Sequence, residues 1–199
     1  MSDSTDVMVA RLSGVARDGA LRAGRALSGL MGQEITIHVP SVRLGTKADA
    51  CDAVGGPEEL VLGAYLTISG DVTGHVMLLF RESRAFECVD IMCGQAVGTT
   101  KEIDEMASSA IGELGNIVGS AFVNALADDV NLVLHPSPPT VVNDMAIALV
   151  QAVYAEILAQ GGEVVMIDTI FEDQRGRSAG LLIVAPDPVS FAKLQGLAA

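Results

Sequence analysis

The chain repeats one order of predicted helices and strands, and this repeat constrains the fold more than any other feature of its 199 residues. When Pro40 is placed over Pro139, at an offset of 99 residues, one long helical pattern overlays another. The two units run from about residue 6 to 95 and from about 103 to 197. A repeat of this size predicts that residues 1–199 form a single domain with pseudo-two-fold symmetry and a continuous sheet.

The patterns within each unit predict the same kinds of element. Recurrence of apolar residues every three or four positions indicates helices, and alternation of apolar with polar residues indicates half-buried strands. In the first unit the predicted elements are a helix (6–31), a strand ended by Pro40 (34–39), an irregular stretch (40–57), a hairpin (60–69 and 74–80) and a helix (83–93). In the second unit they are a helix (103–127), a strand (131–134), a helix ended by two glycines (141–160), a hairpin (163–172 and 179–185) and a helix (189–197).

These elements define a fold class. Antiparallel hairpins with helices on the sheet faces belong to the α+β class, which is α/β in the loose sense. We therefore expect a mainly antiparallel sheet with two long helices and several shorter helices on its faces. Half of the residues are apolar, which is enough to build one well-buried core.

The charge of the chain argues against nucleic-acid binding. The formal net charge is −13, from 25 acidic and 12 basic residues. A protein that binds DNA or RNA needs a basic surface to neutralise phosphates. The densest positive region is a set of four arginines spread along the first helix, at positions 11, 17, 22 and 25. We therefore expect no nucleic-acid partner.

Cysteines, histidines and terminal patterns exclude several other classes. The three cysteines include no CxxC pair, which argues against a disulfide framework and a zinc site. His38, His75 and His135 lack the spacing of metal ligands, so we expect no metal site. No GxSxG, GxxxxGK[ST] or GxGxxG motif is present. The sequence shows no signal peptide and no run of 18 apolar residues, which predicts a cytoplasmic protein without a membrane segment.

The long helix of the second unit carries a polar stripe. Ser109, Glu113, Asn116 and Ser120 follow one another at steps of four, three and four, so they share one face of the helix. Such a stripe is often only the solvated side of an amphipathic helix. Its side chains are short and carry hydroxyl or amide groups, unlike the Lys and Glu mixture of a typical solvated face.

Three glycines beside the stripe, Gly112, Gly115 and Gly119, strengthen the functional interpretation. Each glycine inside a helix costs about 1 kcal/mol relative to alanine. A total of roughly 3 kcal/mol is large beside a typical folding stability of about 5–15 kcal/mol. The glycines therefore predict that a neighbouring helix or a partner protein approaches this helix closely.

The stripe belongs to a longer motif. Ser109, Glu113 and Asn116 are followed by 22 residues and then by Pro139. With the surrounding segments EIDEMASSAIGELGN, PSV at 40–42 and GAYLTISGDVTGHVMLLF, the chain resembles the CheC/CheX/FliY family of chemotaxis phosphatases, and its CheC-type members most closely. The likeness extends from about residue 7 to 197.

The resemblance implies a function and a site. It implies a hydrolase that removes the phosphoryl group from the phosphoaspartate of a CheY-like response regulator. Glu113 and Asn116 would be the catalytic residues, Ser109 and Pro139 supporting positions of the motif, and Gly112 and Ser120 part of the face turned to the partner. The phosphorylated receiver would bring its own Mg²⁺, and the chain itself would need no cofactor.

Two other functions remain open for a chain of this family. Family members also bind and regulate the receptor deamidase CheD, so the chain could be a binding module that holds phosphorylated CheY or controls CheD without turnover. A flagellar switch subunit of the FliY type is the third alternative. We regard it as weaker because such proteins append a further C-terminal domain.

The first long helix departs from the motif. The 99-residue offset places Ala10, Gly14 and Arg17 opposite Ser109, Glu113 and Asn116, so only Pro40 of the motif is retained. A guanidinium has no lone pair with which to accept a hydrogen bond from water. We therefore expect a single working site. Arg17 is then either a solvated surface residue or part of a platform for an acidic partner.

Overall fold

The computed structural model describes residues 2–158, 164–174 and 176–198. These residues form six helices and seven strands. In chain order they are α1 (Ser2–Met31), β1 (Thr36–Gly45), α2 (Lys47–Ala53), β2 (Leu60–Gly70), β3 (Gly74–Arg81), α3 (Glu82–Met92), α4 (Glu105–Val130), β4 (Leu134–Pro136), β5 (Thr140–Met145), α5 (Ala146–Leu158), β6 (Val164–Asp173), β7 (Gly176–Pro186) and α6 (Pro188–Ala198).

The described strands form one antiparallel sheet with a pseudo-two-fold arrangement. The strand order is β1-β6-β7-β3-β2, and β4 and β5 both pair with β2 at the far end. The central pair joins β3 to β7, for example at Leu78 and Leu182. Exchanging the two halves of the chain places β1, β6 and β7 onto β5, β2 and β3. The expected α+β fold with a mainly antiparallel sheet is thus confirmed.

Helices cover both faces of this sheet. Alternate residues of β3 show the division, because Leu78 and Phe80 enter the core beneath α1, α3, α4 and α6, whereas Met77 and Leu79 enter the core beneath α2 and α5. This alternation follows from the two-residue period of a strand. The long helices α1 and α4 pack against each other on the first face. The polar stripe of α4 therefore lies on a helix anchored by the larger core.

Four predicted elements differ from the structure. Strand β1 continues past Pro40 to Gly45, with a register shift between His38 and Ser41. A proline is tolerated there because the strand lies at the sheet edge and an irregularity absorbs the missing N–H. The stretch predicted as irregular contains α2, which begins with a capping box formed by Thr46 and Asp49.

The third error concerns residues 141–145, which were predicted as the start of a helix and belong to β5. This strand pairs with β2 over six residue pairs, from Thr140 opposite Tyr65 to Met145 opposite Leu60. Helix α5 begins only at Ala146, and the predicted helix end at Gln160 lies outside the described residues. The predicted strand at 131–134 is displaced to Leu134–Pro136.

Helix α4 also has the length and mean hydropathy of a membrane span, with a most apolar window of mean hydropathy 1.2. Half of that window is buried inside the protein. Because its buried side packs against α1 and β2, α4 is a core helix of this domain.

Candidate active site

The candidate site is built on α4, whose two ends are both capped. The side chain of Asp104 accepts a hydrogen bond from the Ala107 backbone N–H at 2.7 Å, which satisfies one of the free donors of the first turn. Asn131 ends the helix in the left-handed conformation, with φ 52°. The stripe therefore lies well inside a regular helix, where its side-chain directions are set by the 3.6-residue period.

The structure places the four stripe residues along one accessible ridge. Ser109 and Glu113 are exposed, and Asn116 and Ser120 are half-buried. Leu114 and Val118, on the opposite side, are buried in the core. Glu113 and Asn116 are separated by about 4.5 Å along the helix axis, as expected for a three-residue step.

The reactive groups of Glu113 and Asn116 are unengaged within the part of the chain that the structure describes. Neither side chain forms a hydrogen bond or ion pair with another described residue. The Asp129 carboxylate at the C-terminal end of the same helix, by contrast, is paired with Arg11 at 2.6 Å. The Glu113 carboxylate and the Asn116 amide are therefore available to a partner at no cost in broken internal contacts.

The structure explains two of the glycines beside the stripe by a close approach to the sheet, which differs from the approach of a helix or a partner protein that the sequence predicted. A Cβ atom added to Gly115 would overlap the Cβ atom of Ala64, and one added to Gly119 would lie 3.1 Å from the Leu66 side chain. Both neighbours belong to β2. The close approach is thus to the sheet, and neither a helix nor a partner protein is needed to explain these two glycines.

Pro139 lies next to the site through β5. It immediately precedes this strand and is half-buried. A Cβ atom added to Gly112 would lie 3.4 Å from Val141 in the same strand, so the stripe and the start of β5 are neighbours. The segment before Pro139 is tied to β2, since the Ser137 N–H donates to the Thr67 carbonyl at 2.9 Å.

A groove of about 670 Å³ adjoins the N-terminal part of the stripe. Ser109 and Glu113 form one wall, and Met92 and Cys93 at the end of α3 form the other. Met106 is 56% exposed at its rim. The arrangement gives the carboxylate of Glu113 a concave, partly apolar surrounding that a protein partner can enter.

The loop that leads into α4 is held by a buried carboxylate, which sequence reasoning missed. Asp90 has no exposed surface, and it accepts hydrogen bonds from the backbone N–H groups of Gly98, Thr99 and Thr100 and from the Thr100 hydroxyl. Burial by itself raises the pKa of Asp90, but the hydrogen bonds from Thr100, Gly98 and Thr99 outweigh it, so that pKa lies below its usual value. An aspartate on the apolar helix α3, shortly before a Gly-Thr-Thr segment, was the available signal.

Replacing Asp90 with asparagine is expected to destabilise the fold by about 1–3 kcal/mol, because the amide cannot accept from all four donors. A depressed carboxylate pKa contributes stability that is present above about pH 4 and is lost as the pH falls through the folded-state value. The difference in free energy of unfolding between wild type and Asp90→Asn should therefore become smaller below about pH 4. Urea unfolding at several pH values measures it, and a difference independent of pH would contradict the assignment.

The three histidines are placed apart from this site. His38 on β1 lies 3.0 Å from Glu172 on β6, His75 lies 2.7 Å from the Tyr65 hydroxyl, and His135 is exposed on β4. Among residues 2–158, 164–174 and 176–198, no three His, Cys, Asp or Glu side chains come together as a possible metal site.

The corresponding face of α1 is also exposed but carries different chemistry. Ala10, Gly14 and Arg17 are all exposed on this helix. No carboxylate or amide stands at the three positions. The two halves of the fold thus present equivalent ridges, and only the ridge on α4 bears Glu113 and Asn116.

Comparison with known proteins identifies the relatives of this chain. A CheC-like family model matches residues 106–142, the segment that contains the stripe and Pro139. The CheY-P phosphatase CheC of Bacillus subtilis (strain 168) is 30% identical over 180 residues, which cover 88% of this chain and 86% of that protein.

Two solved structures show the same fold at low sequence identity. Thermotoga maritima FliY superimposes with a TM-score of 0.75 at 19% identity, covering 99% of this chain and 96% of that one. The FliM middle domain of H. pylori superimposes with a TM-score of 0.65 at 14% identity, covering 96% and 97%. At these identities the likeness establishes the architecture alone.

Proposed function

The chain belongs to the CheC family, and on that premise we propose that it is a phosphatase that hydrolyses the phosphoaspartate of a CheY-like response regulator in chemotaxis signalling. The observation that carries the proposal is the pair of unengaged polar groups, Glu113 and Asn116, on the accessible ridge of α4 within the segment matched by the family model. The proposal places the protein in the cytoplasm with its receiver.

Hydrolysis of a phosphoaspartate does not require a covalent intermediate with the phosphatase. An acyl phosphate is a reactive bond, and its hydrolysis needs a water molecule held in line with phosphorus and neutralisation of the charge around it. The receiver supplies Mg²⁺ and a lysine beside its phosphorylated aspartate, as the family resemblance implies. The metal therefore belongs to the substrate protein, and the missing group is one that orients water.

Asn116 suits that task. Its amide oxygen accepts a hydrogen bond from water, and its NH₂ group donates one, so the side chain can fix both the position and the orientation of the nucleophile. As a half-buried residue inside a regular helix, it presents this amide from a rigid element. Ser109 and Ser120 flank the site on the same ridge and contribute polar contacts to the docked receiver.

Glu113 has a separate role. Its carboxylate lies one turn toward the helix N-terminus and is exposed, so it can pair with the receiver's lysine and fix the docking geometry. Gly112 beside it adds no side chain, which lets the receiver approach the helix backbone.

The decisive experiment follows the decay of a radiolabelled, phosphorylated CheY-like receiver. Catalytic amounts of the protein are expected to accelerate phosphate release with multiple turnovers. If the receiver binds but its decay is unchanged, the protein is instead a binding module that holds the phosphorylated receiver or regulates CheD. If neither binding nor decay is seen, the assignment to this receiver is wrong.

Glu113→Ala is expected to weaken receiver docking as well as to slow hydrolysis, because it removes the anion that meets the receiver's lysine. Loss of a charge-assisted contact of about 1.5–3 kcal/mol corresponds to a roughly 10- to 150-fold rise in KM. Steady-state kinetics measures KM, and calorimetry with a beryllofluoride-loaded receiver measures the dissociation constant. An unchanged KM would place the docking carboxylate elsewhere.

A further inference from the structure

The arginines of α1 divide into two pairs with opposite surroundings. Arg11 lies 2.6 Å from Asp129, and Arg22 lies 2.6 Å from both Asp128 and Asp18. The ion pairs of Arg11 with Asp129 and of Arg22 with Asp128 tie α1 to the C-terminal end of α4. Arg17 and Arg25 are exposed and form no hydrogen bond or ion pair within the described part of the chain. Two unneutralised cations on one helix are conspicuous in a chain of net charge −13.

Arg17 and Arg25 flank an exposed aliphatic side chain. Leu21 lies between them, one turn from each, and is 52% exposed. All three residues line a groove of about 570 Å³ between α1 and β1. The other wall includes Ile37, and Glu34 is the one carboxylate among the lining residues. The groove therefore combines an apolar floor with an excess of positive charge.

The position of this groove follows from the pseudo-two-fold arrangement. The 99-residue offset pairs Arg17 with Asn116 and Leu21 with Ser120, so the groove begins at the position equivalent to Asn116 and continues toward the C-terminal end of α1. Strand β1 is the outermost strand at its end of the sheet and pairs only with β6 among the described strands. The fold thus presents a ridge beside an edge strand in both halves, with different chemistry on each.

We propose that the groove between α1 and β1 is a second docking surface, which binds an extended acidic segment of another protein through Arg17, Leu21 and Arg25. Residues one turn apart on a helix are about 6 Å apart along its axis. Alternate residues on one face of an extended segment repeat at about 6.6–6.8 Å. A Glu-x-Leu-x-Glu segment therefore matches the spacing of arginine, leucine and arginine, and the outer edge of β1 favours an extended ligand.

Other anions fit this groove less well. Arg17 and Arg25 are anchored about 12 Å apart along the helix axis, a spacing that suits two separate carboxylates better than a single phosphate. A nucleic acid or an anionic membrane would need a broader basic surface, and the net charge of −13 opposes both.

The test uses two fluorescein-labelled 11-residue peptides, one with a central Glu-Thr-Leu-Thr-Glu and one with Lys-Thr-Leu-Thr-Lys. Fluorescence anisotropy is expected to show at least tenfold tighter binding of the acidic peptide to wild type, weakening as salt is raised. The double variant Arg17→Glu, Arg25→Glu should reverse the preference and bind the lysine peptide. Circular dichroism of each variant checks that the exposed substitutions leave the fold intact.

Arg22→Ala is the matched control, because Arg22 is already neutralised by Asp18 and Asp128. This substitution should leave peptide binding unchanged. An equal effect of Arg22→Ala and Arg17→Ala would overturn the proposal, as would a wild type that does not distinguish the peptides. Binding of the protein to vesicles containing anionic lipid without any peptide preference would also overturn it. None of these readouts depends on phosphatase activity.

Discussion

Asn116→Ala is expected to reduce the catalysed rate of phosphoaspartate hydrolysis by about 100-fold or more while receiver binding stays within about twofold of wild type. The methyl group has no lone pair and no N–H, so the nucleophilic water loses its orientation. The substitution leaves the backbone and the exposed carboxylate of Glu113 in place. Phosphate release from the labelled receiver gives the rate, and calorimetry with the beryllofluoride-loaded receiver gives the affinity.

The equivalent position in the other half provides the control. Arg17→Ala should leave the phosphatase rate unchanged, and saturation should fit one receiver per chain. Equal rates for wild type and Asn116→Ala would show that the chemistry resides elsewhere. A clear loss of rate in Arg17→Ala, or two receivers bound per chain, would show that the ridge on α1 also acts on the receiver.

Gly115→Val is expected to lower the free energy of unfolding by about 3 kcal/mol or more. A Cβ atom at this position would overlap Ala64 Cβ, and neither α4 nor the interior strand β2 can move away without disturbing the core. The change also improves the helix propensity of the residue, but by less than 1 kcal/mol. Steric overlap therefore outweighs helix propensity, and the net effect is destabilising. Urea unfolding monitored by circular dichroism measures the change in free energy of unfolding.

Gly14→Val is the matched control on the other long helix. A Cβ atom added to Gly14 would have no atom within 4 Å among its described surroundings, so helix propensity alone remains. We expect a gain of a few tenths of a kcal/mol. A Gly115→Val protein as stable as wild type would mean that α4 does not pack on β2 as described.

The organisation of the chain was largely predictable from local pattern. Helical periodicity predicted α1 and α4, and the turns around 70–73 and 173–177 predicted both hairpins. Helical spacing also predicted that Glu113 faces outward and Leu114 inward, as observed. These features depend on the period of a single element, which the order of residues contains in full.

Two of the errors occurred where pairing with a distant strand decides the structure. Val141 and Val142 begin a segment that is equally compatible with a helix or a strand, and its pairing with β2, about 80 residues away in sequence, makes it β5. In the same way, pairing with β6 carries β1 past Pro40. Local propensity is weak beside the main-chain hydrogen bonds that a neighbouring strand supplies.

The sequence by itself determined the antiparallel α+β architecture, the order of the repeat and the face of α4 on which Ser109, Glu113, Asn116 and Ser120 lie, because each follows from short-range periodicity. The tertiary structure alone decided why Gly115 and Gly119 are glycines, which arginines of α1 are neutralised, and how Asp90 holds the loop before α4. These last features join residues that are distant in sequence or depend on the path of a loop, and they arise only when the sheet and its two long helices are packed together.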